Sequence, residues 1–158
     1  ATPGTVQHEV ATNLIFDADL VIPPYAAHHQ VHHEWKSSHD VFLIAMLPHM
    51  HLRGRSFRYD AEYPDGTQEL LLHVPAYDFN WQHTYLPKEL VRLPKGTRLD
   101  CVAYYDNSAK NKYNPNPTQT VRWGDQTWEE MMIGWYTYTK ASPESSKPSA
   151  AGVSGAGQ

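Results

Sequence analysis

His49 and His51 are the residues of this chain whose type and spacing most directly offer chemistry. They close the stretch Leu47-Pro48-His49-Met50-His51-Leu52-Arg53-Gly54, which follows the apolar run Val41-Phe42-Leu43-Ile44-Ala45-Met46. An apolar run of that length, rich in β-branched and aromatic residues, reads as a buried strand. Side chains on a strand alternate between faces, so His49 and His51 leave on one side and Met50 on the other. Their Cα atoms then stand about 7 Å apart, a gap two imidazoles close by leaning toward one metal ion. A His-x-His pair at a strand end is thus two-thirds of a metal site or simply a pair of satisfied histidines, and the pair alone does not decide between them.

The elements that must position this pair are short and extended. The 158 residues suit one domain with room for a core, and the apolar residues fall in short runs. Alternation places strands within 9–22, over 28–35 and 41–49, from Ser56 to Tyr63 and from Gln68 to Val74. Further strands are expected from Lys88 to Leu93, Arg98 to Tyr105, Thr120 to Trp123 and Thr127 to Thr139. Pro64-Asp65-Gly66 and Pro94-Lys95-Gly96 are turn signals between pairs of them. Phe79 and Trp81 look like buried aromatics of the intervening loop, and 106–118 is a Pro/Asn-rich loop. With no helical periodicity, the pattern predicts an all-β fold, a jelly-roll β-sandwich of about eight or nine antiparallel strands. The domain spans 9–140, preceded by an N-terminal arm over 1–8 and followed by a flexible Gly/Ser/Ala tail over 141–158.

Charge and composition exclude some functions. A net charge of −4 without Lys/Arg clusters argues against nucleic acid or an anionic membrane as partner, and no apolar run approaches a transmembrane span. Cys101 is the single cysteine, so no internal disulfide forms. The chain starts with Ala and carries no visible signal peptide, as expected of a mature form or an excised domain. Histidine is enriched, with His28, His29, His32, His33 and His39 in one short stretch. That cluster reads as a histidine-rich strand or an adventitious metal site rather than a built redox centre.

Late in the chain, Trp128-Glu129-Glu130-Met131-Met132-Ile133 sets two carboxylates beside two thioethers. Core packing is the ordinary reading of Met131, and a solvated strand end that of Glu129-Glu130. Here the order of motifs resembles one family. Ile22-Pro23-Pro24, the apolar strand into His49-Met50-His51, a lone cysteine on a late strand and Glu129-Glu130-Met131 are similar to the C-terminal domain of the copper type II, ascorbate-dependent monooxygenases. That family includes peptidylglycine α-hydroxylating monooxygenase and dopamine β-monooxygenase. The resemblance covers Val21 to Tyr138. It implies a jelly roll holding one copper, the dioxygen-binding one, through His49, His51 and Met131, with an external reductant such as ascorbate. It further implies a secreted or periplasmic location within a larger protein, with O2, a small organic substrate and an electron-donor protein or redox domain as partners. Two imidazoles and a thioether are a soft set suited to Cu(I), whereas zinc more often takes a third histidine, a carboxylate or a thiolate.

Three departures qualify the resemblance. The family's N-terminal, all-histidine copper half has no counterpart in this sequence. The peptide-amidating members anchor a substrate carboxylate through Arg, Asn and Tyr at the positions held here by Leu47, Ile133 and Trp135, so the expected substrate is not a peptidylglycine. The family's partner for the late cysteine falls at Met132, leaving Cys101 for Cys–Met packing. Arg53 and Arg55 read as surface charges or as groups that orient a substrate or reductant, and His73 and His83 as solvated or core histidines. Trp81, Trp123 and Trp128 read as core or rim packing, ahead of shielding the site or carrying electrons. The leading expectation is O2-dependent C–H hydroxylation at copper; the alternatives are a copper-binding or electron-transfer module without oxygenase activity, and a structural sandwich whose site is empty or holds zinc.

Overall fold

A computed structural model of the chain describes residues 9–141. The expected arm over 1–8 and all but the first residue of the expected tail over 141–158 lie outside these residues. No helix forms among the described residues, and none is therefore long and apolar enough to cross a membrane. Ten strands form: β1 (Val10–Phe16), β2 (Val21–Ile22), β3 (His29–Lys36), β4 (Val41–His49), β5 (Gly54–Glu62), β6 (Gln68–Val74), β7 (Val91–Leu93), β8 (Arg98–Tyr105), β9 (Val121–Arg122) and β10 (Ile133–Lys140). They pair antiparallel in two four-stranded sheets, ordered β1-β10-β4-β7 and β3-β8-β5-β6, with β2 and β9 as a separate short pair.

Alternation explains which residues meet in the middle. Phe57, Tyr59 and Ala61 of β5 and Leu99, Cys101, Ala103 and Tyr105 of β8 are all buried, facing Val41, Leu43 and Met46 of β4 and Tyr136 of β10. The two sheets close on each other in a β-sandwich-like arrangement. At Gly134 the two sheets come close: a Cβ there would run into Cys101 Sγ and stand 3.1 Å from the Tyr59 ring. The Tyr59 hydroxyl also donates across the core to the Trp135 carbonyl at 3.1 Å. At the Pro64-Asp65-Gly66 turn, Gly66 takes φ 86°, a left-handed conformation that costs glycine little.

Three strands are shorter than their sequence patterns suggest. The strand expected from Lys88 to Leu93 is reduced to β7, that from Thr120 to Trp123 to β9, and that from Thr127 to Thr139 begins only at Ile133. Residues 127–132 leave the strand instead: the chain turns at 127–128, with the Glu129 N–H donating to the Gln126 carbonyl at 2.9 Å, and Glu130 forms an isolated bridge with Trp123. That turn brings Glu130 to the end of β4. Trp81, expected to be buried, is 68% exposed, whereas Phe79 packs against the core.

Candidate metal centre

The β4–β10 register carries the site. His49 stands opposite Ile133, Pro48 opposite Gly134 and Leu47 opposite Trp135. Met131 lies outside the ladder, two residues before its end at Ile133. What the structure brings together at this sheet end is the His49–His51 pair. The His49 and His51 rings meet edge to face with centroids 5.2 Å apart.

Hydrogen bonding fixes the protonation pattern of both rings. Gln82 donates its amide N–H to the Phe79 carbonyl at 2.8 Å, which turns its oxygen toward His49 Nδ1, 2.7 Å away. A carboxamide oxygen only accepts, so His49 carries its proton on Nδ1. His51 Nδ1 lies 3.3 Å from the Glu129 carbonyl, another pure acceptor, and it too is the protonated nitrogen. In each neutral ring the lone pair is then on Nε2. His51 is only 4% exposed, and Phe79 stands edge-on to it at 5.8 Å. Burial lowers the His51 pKa below its usual value and the neighbouring His49 lowers it further, against the Glu129 and Gln126 carbonyls. His51 is thus held neutral, the form that binds a metal.

The backbone between and beyond the histidines is clamped twice. Tyr77 accepts from the Met50 N–H at 3.0 Å and donates its hydroxyl to the Met50 carbonyl at 2.6 Å. Gly54 makes room for this, since a Cβ there would come within 2.8 Å of Met50 Cβ and 2.9 Å of the Tyr77 ring. Glu130, fully buried, accepts from the N–H of His51 at 2.8 Å and of Arg53 at 2.6 Å, one on each carboxylate oxygen. Burial pushes its carboxyl up to about 7 despite those donors and the nearby Arg53 charge. Tyr105 donates to the Met131 carbonyl at 2.8 Å, fixing the chain next to Glu130.

Several sequence expectations change in this setting. Glu130 is not a solvated strand end but the buried tie between 130 and the end of β4. Arg53 is not a surface charge: it is 1% exposed, and its guanidinium donates to Asn107 Oδ1 and to the Trp128 carbonyl, each at 2.9 Å. Arg55, His73 and His83 are exposed. Trp128 is 60% exposed, and Trp123 packs on Phe16 with ring centroids 5.7 Å apart. Cys101 is fully buried against Gly134, which pushes its thiol well above the usual range, and Met132 lies in the same core. The histidine-rich stretch runs through β3 of the other sheet and its flanks, and three of its members have separate partners. His28 stacks on Tyr104, His32 lies 3.6 Å from Asp100, and His39 bonds Ser38. Among the described residues, no three of His, Cys, Asp and Glu are gathered as a metal site. Gln82 carries no sequence signal; nothing in its loop announces that it turns a histidine 33 residues away.

The metal donors that the structure sets at the β4 end are the two imidazoles. Both nearby carboxylates are engaged, Glu130 by two backbone N–H groups and Glu129 by the Gln126 N–H at 3.0 Å. What remains is two preoriented imidazole nitrogens, which with a thioether beside them would make a soft set suited to Cu(I).

No protein-family model matches the chain, and no curated protein does either. Among solved structures it is similar to a chain in the crystal structure of the T13 IBDV viral particle, at 8% identity and a TM-score of 0.32. That alignment covers 85% of this chain and 40% of the other, and a likeness so weak carries no argument about function.

Proposed function

We propose that this chain is a mononuclear copper domain resembling the dioxygen-binding half of the copper type II monooxygenases. In this reading it takes part in O2-dependent hydroxylation of a C–H bond in a substrate other than a peptidylglycine. Nε2 of His49, Nε2 of His51 and the Met131 thioether hold the ion. The observation that carries the reading is the tautomer pair: two buried-side acceptors, Gln82 and the Glu129 carbonyl, leave both Nε2 lone pairs at one sheet end. When bound, copper supplies one-electron redox chemistry between Cu(I) and Cu(II), drawing on ascorbate, a donor protein or another domain. The chain's own residues orient the imidazoles, hold His51 neutral and shield one side of it with Phe79.

Jelly-roll topology is part of the proposal. With the two-residue strands set aside, β1, β4, β7 and β10 fall in one sheet and β3, β5, β6 and β8 in the other, in the orders expected of two interlocked Greek keys. The proposed location is secreted or periplasmic, as for the family.

Anaerobic loading with Cu(I) tests the site. One equivalent bound by the native chain, and lost in His49→Ala, His51→Ala and Met131→Ala, is the expected result; retention in all three variants defeats the copper reading. Oxygen uptake with ascorbate above that of free copper supports the oxygenase role. Cu(I) binding without such uptake favours a copper-binding or electron-transfer module instead, and a preference for zinc favours a structural site.

A further inference from the structure

The outer face of the β1-β10-β4-β7 sheet holds a groove of about 200 Å³ whose walls include Ala45, Leu47 and Trp135. Its polar groups are three threonine hydroxyls, from Thr12, Thr137 and Thr84. Register puts it beside the ligand pair. Leu47 faces Trp135 across the ladder, and two residues along the same face His49 stands opposite Ile133. One such step is about 7 Å, so the Leu47–Trp135 end of the groove abuts His49. Thr12 and Thr137 pair at the far end, their hydroxyl oxygens 3.0 Å apart.

No ionisable side chain lines this groove. A charged molecule entering it would lose hydration without a counter-charge, whereas an apolar body loses nothing and a neutral hydroxyl or carbonyl finds the threonines. The volume is below that of pockets for drug-sized ligands, which fits a single ring or a short alkyl chain. The contrast with the other sheet is direct: the larger surface cavity there, about 390 Å³, is walled by Arg58, Asp60, Glu62, Arg98 and Asp100.

We propose that this groove binds a small uncharged molecule, with one aromatic or short alkyl body and one hydroxyl or carbonyl group, next to His49. Its role as the substrate rests on the copper reading above; its binding does not. The test therefore uses the metal-free full chain and three probes that share a body and differ in charge: 2-phenylethanol, phenylacetate and 2-phenylethylammonium. Titrations followed by 1H–15N spectra are expected to show 2-phenylethanol shifting the Leu47 and Trp135 signals, with both ions binding at least about tenfold more weakly. Trp135→Ala, at a partly exposed position, should abolish those shifts while leaving the rest of the spectrum folded. Leu47→Arg should reverse the preference toward phenylacetate. Equal binding of all three probes, absence of binding by 2-phenylethanol, or shifts that survive Trp135→Ala in the folded variant would each overturn the proposal. Because 2-phenylethanol binding is read on the metal-free chain, its loss and a failure of Cu(I) loading are separate outcomes.

Discussion

The outer faces of the two sheets are built on opposite principles. On β3-β8-β5, Glu34, Asp100 and Asp60 stand in one row, followed by Lys36, Arg98 and Glu62 in the next. Arg98 pairs with Glu34 at 3.1 Å and with Glu62, and Arg58 with Asp60. On β1-β10-β4 the corresponding rows are Thr12, Thr137 and Ala45, then Leu14, Trp135 and Leu47, then Phe16, Ile133 and His49. The first face spreads its charges over a solvated surface, where each pair contributes little. The three rows of the second carry no lysine, arginine or carboxylate, and beside them the buried Glu130 sits where strand end and loop must be joined. Charge is cheap and diffuse on one sheet, scarce and structural on the other.

The sharpest way to break that comparison is Glu130→Ala. Two backbone N–H groups and the buried Arg53 guanidinium lose their compensation, and stability should fall by about 3 kcal/mol or more in urea denaturation. A loss under about 1 kcal/mol would show that the carboxylate is not the tie described here. Next in size is Gly134→Ala, where the added methyl meets Cys101 Sγ and should cost about 1–3 kcal/mol. Cys101→Ala in the same chain should recover part of that loss, and strict additivity of the two changes would contradict the contact.

Glu130→Gln should alter pH dependence more than stability itself. The buried carboxyl titrates near 7, above its unfolded value of 4.5, so the folded chain binds more protons across that interval. Stability contributed by this group is present below pH 4.5 and lost as pH rises toward 7; denaturation midpoints of the glutamine variant should lack that component. The smallest effect belongs to the charged sheet. Burial raises the Asp100 carboxyl pKa, His32 pulls it back, and Glu34 and Asp60 raise it again. Asp100→Asn relieves two like-charge neighbours and should change stability at neutral pH by about half a kcal/mol or less, toward stabilisation. A large destabilisation would place Asp100 in the same class as Glu130 and erase the distinction.

How much of this was legible depended on how far away the partner was. Alternation alone identified the buried faces of β5 and β8 and the apolar course of β4, and Pro64-Asp65-Gly66 announced its turn, because each is a local pattern. The same alternation misled at 127–132. Period-two spacing continues there, yet the chain turns so that Glu130 reaches backbone donors 77 and 79 residues away. Arg53 looked solvated for a similar reason: its acceptors, Asn107 and the Trp128 carbonyl, come from two separate loops. The His49–His51 pair was visible from spacing, but its tautomers were not, since they depend on Gln82 and Glu129. Trp81 looked buried by residue type, and its loop instead leaves it in solvent.

The place where β8 meets the bare backbone of Gly134 has a kinetic consequence. Cys101 is the chain's one thiol, and nothing can reach it until the two sheets part. Its rate of reaction with an aromatic disulfide is therefore a clock for opening of the sandwich, free of interference from any second sulfhydryl. Read at several reagent concentrations, the same labelling separates rapid local breathing from a slow opening of the whole fold.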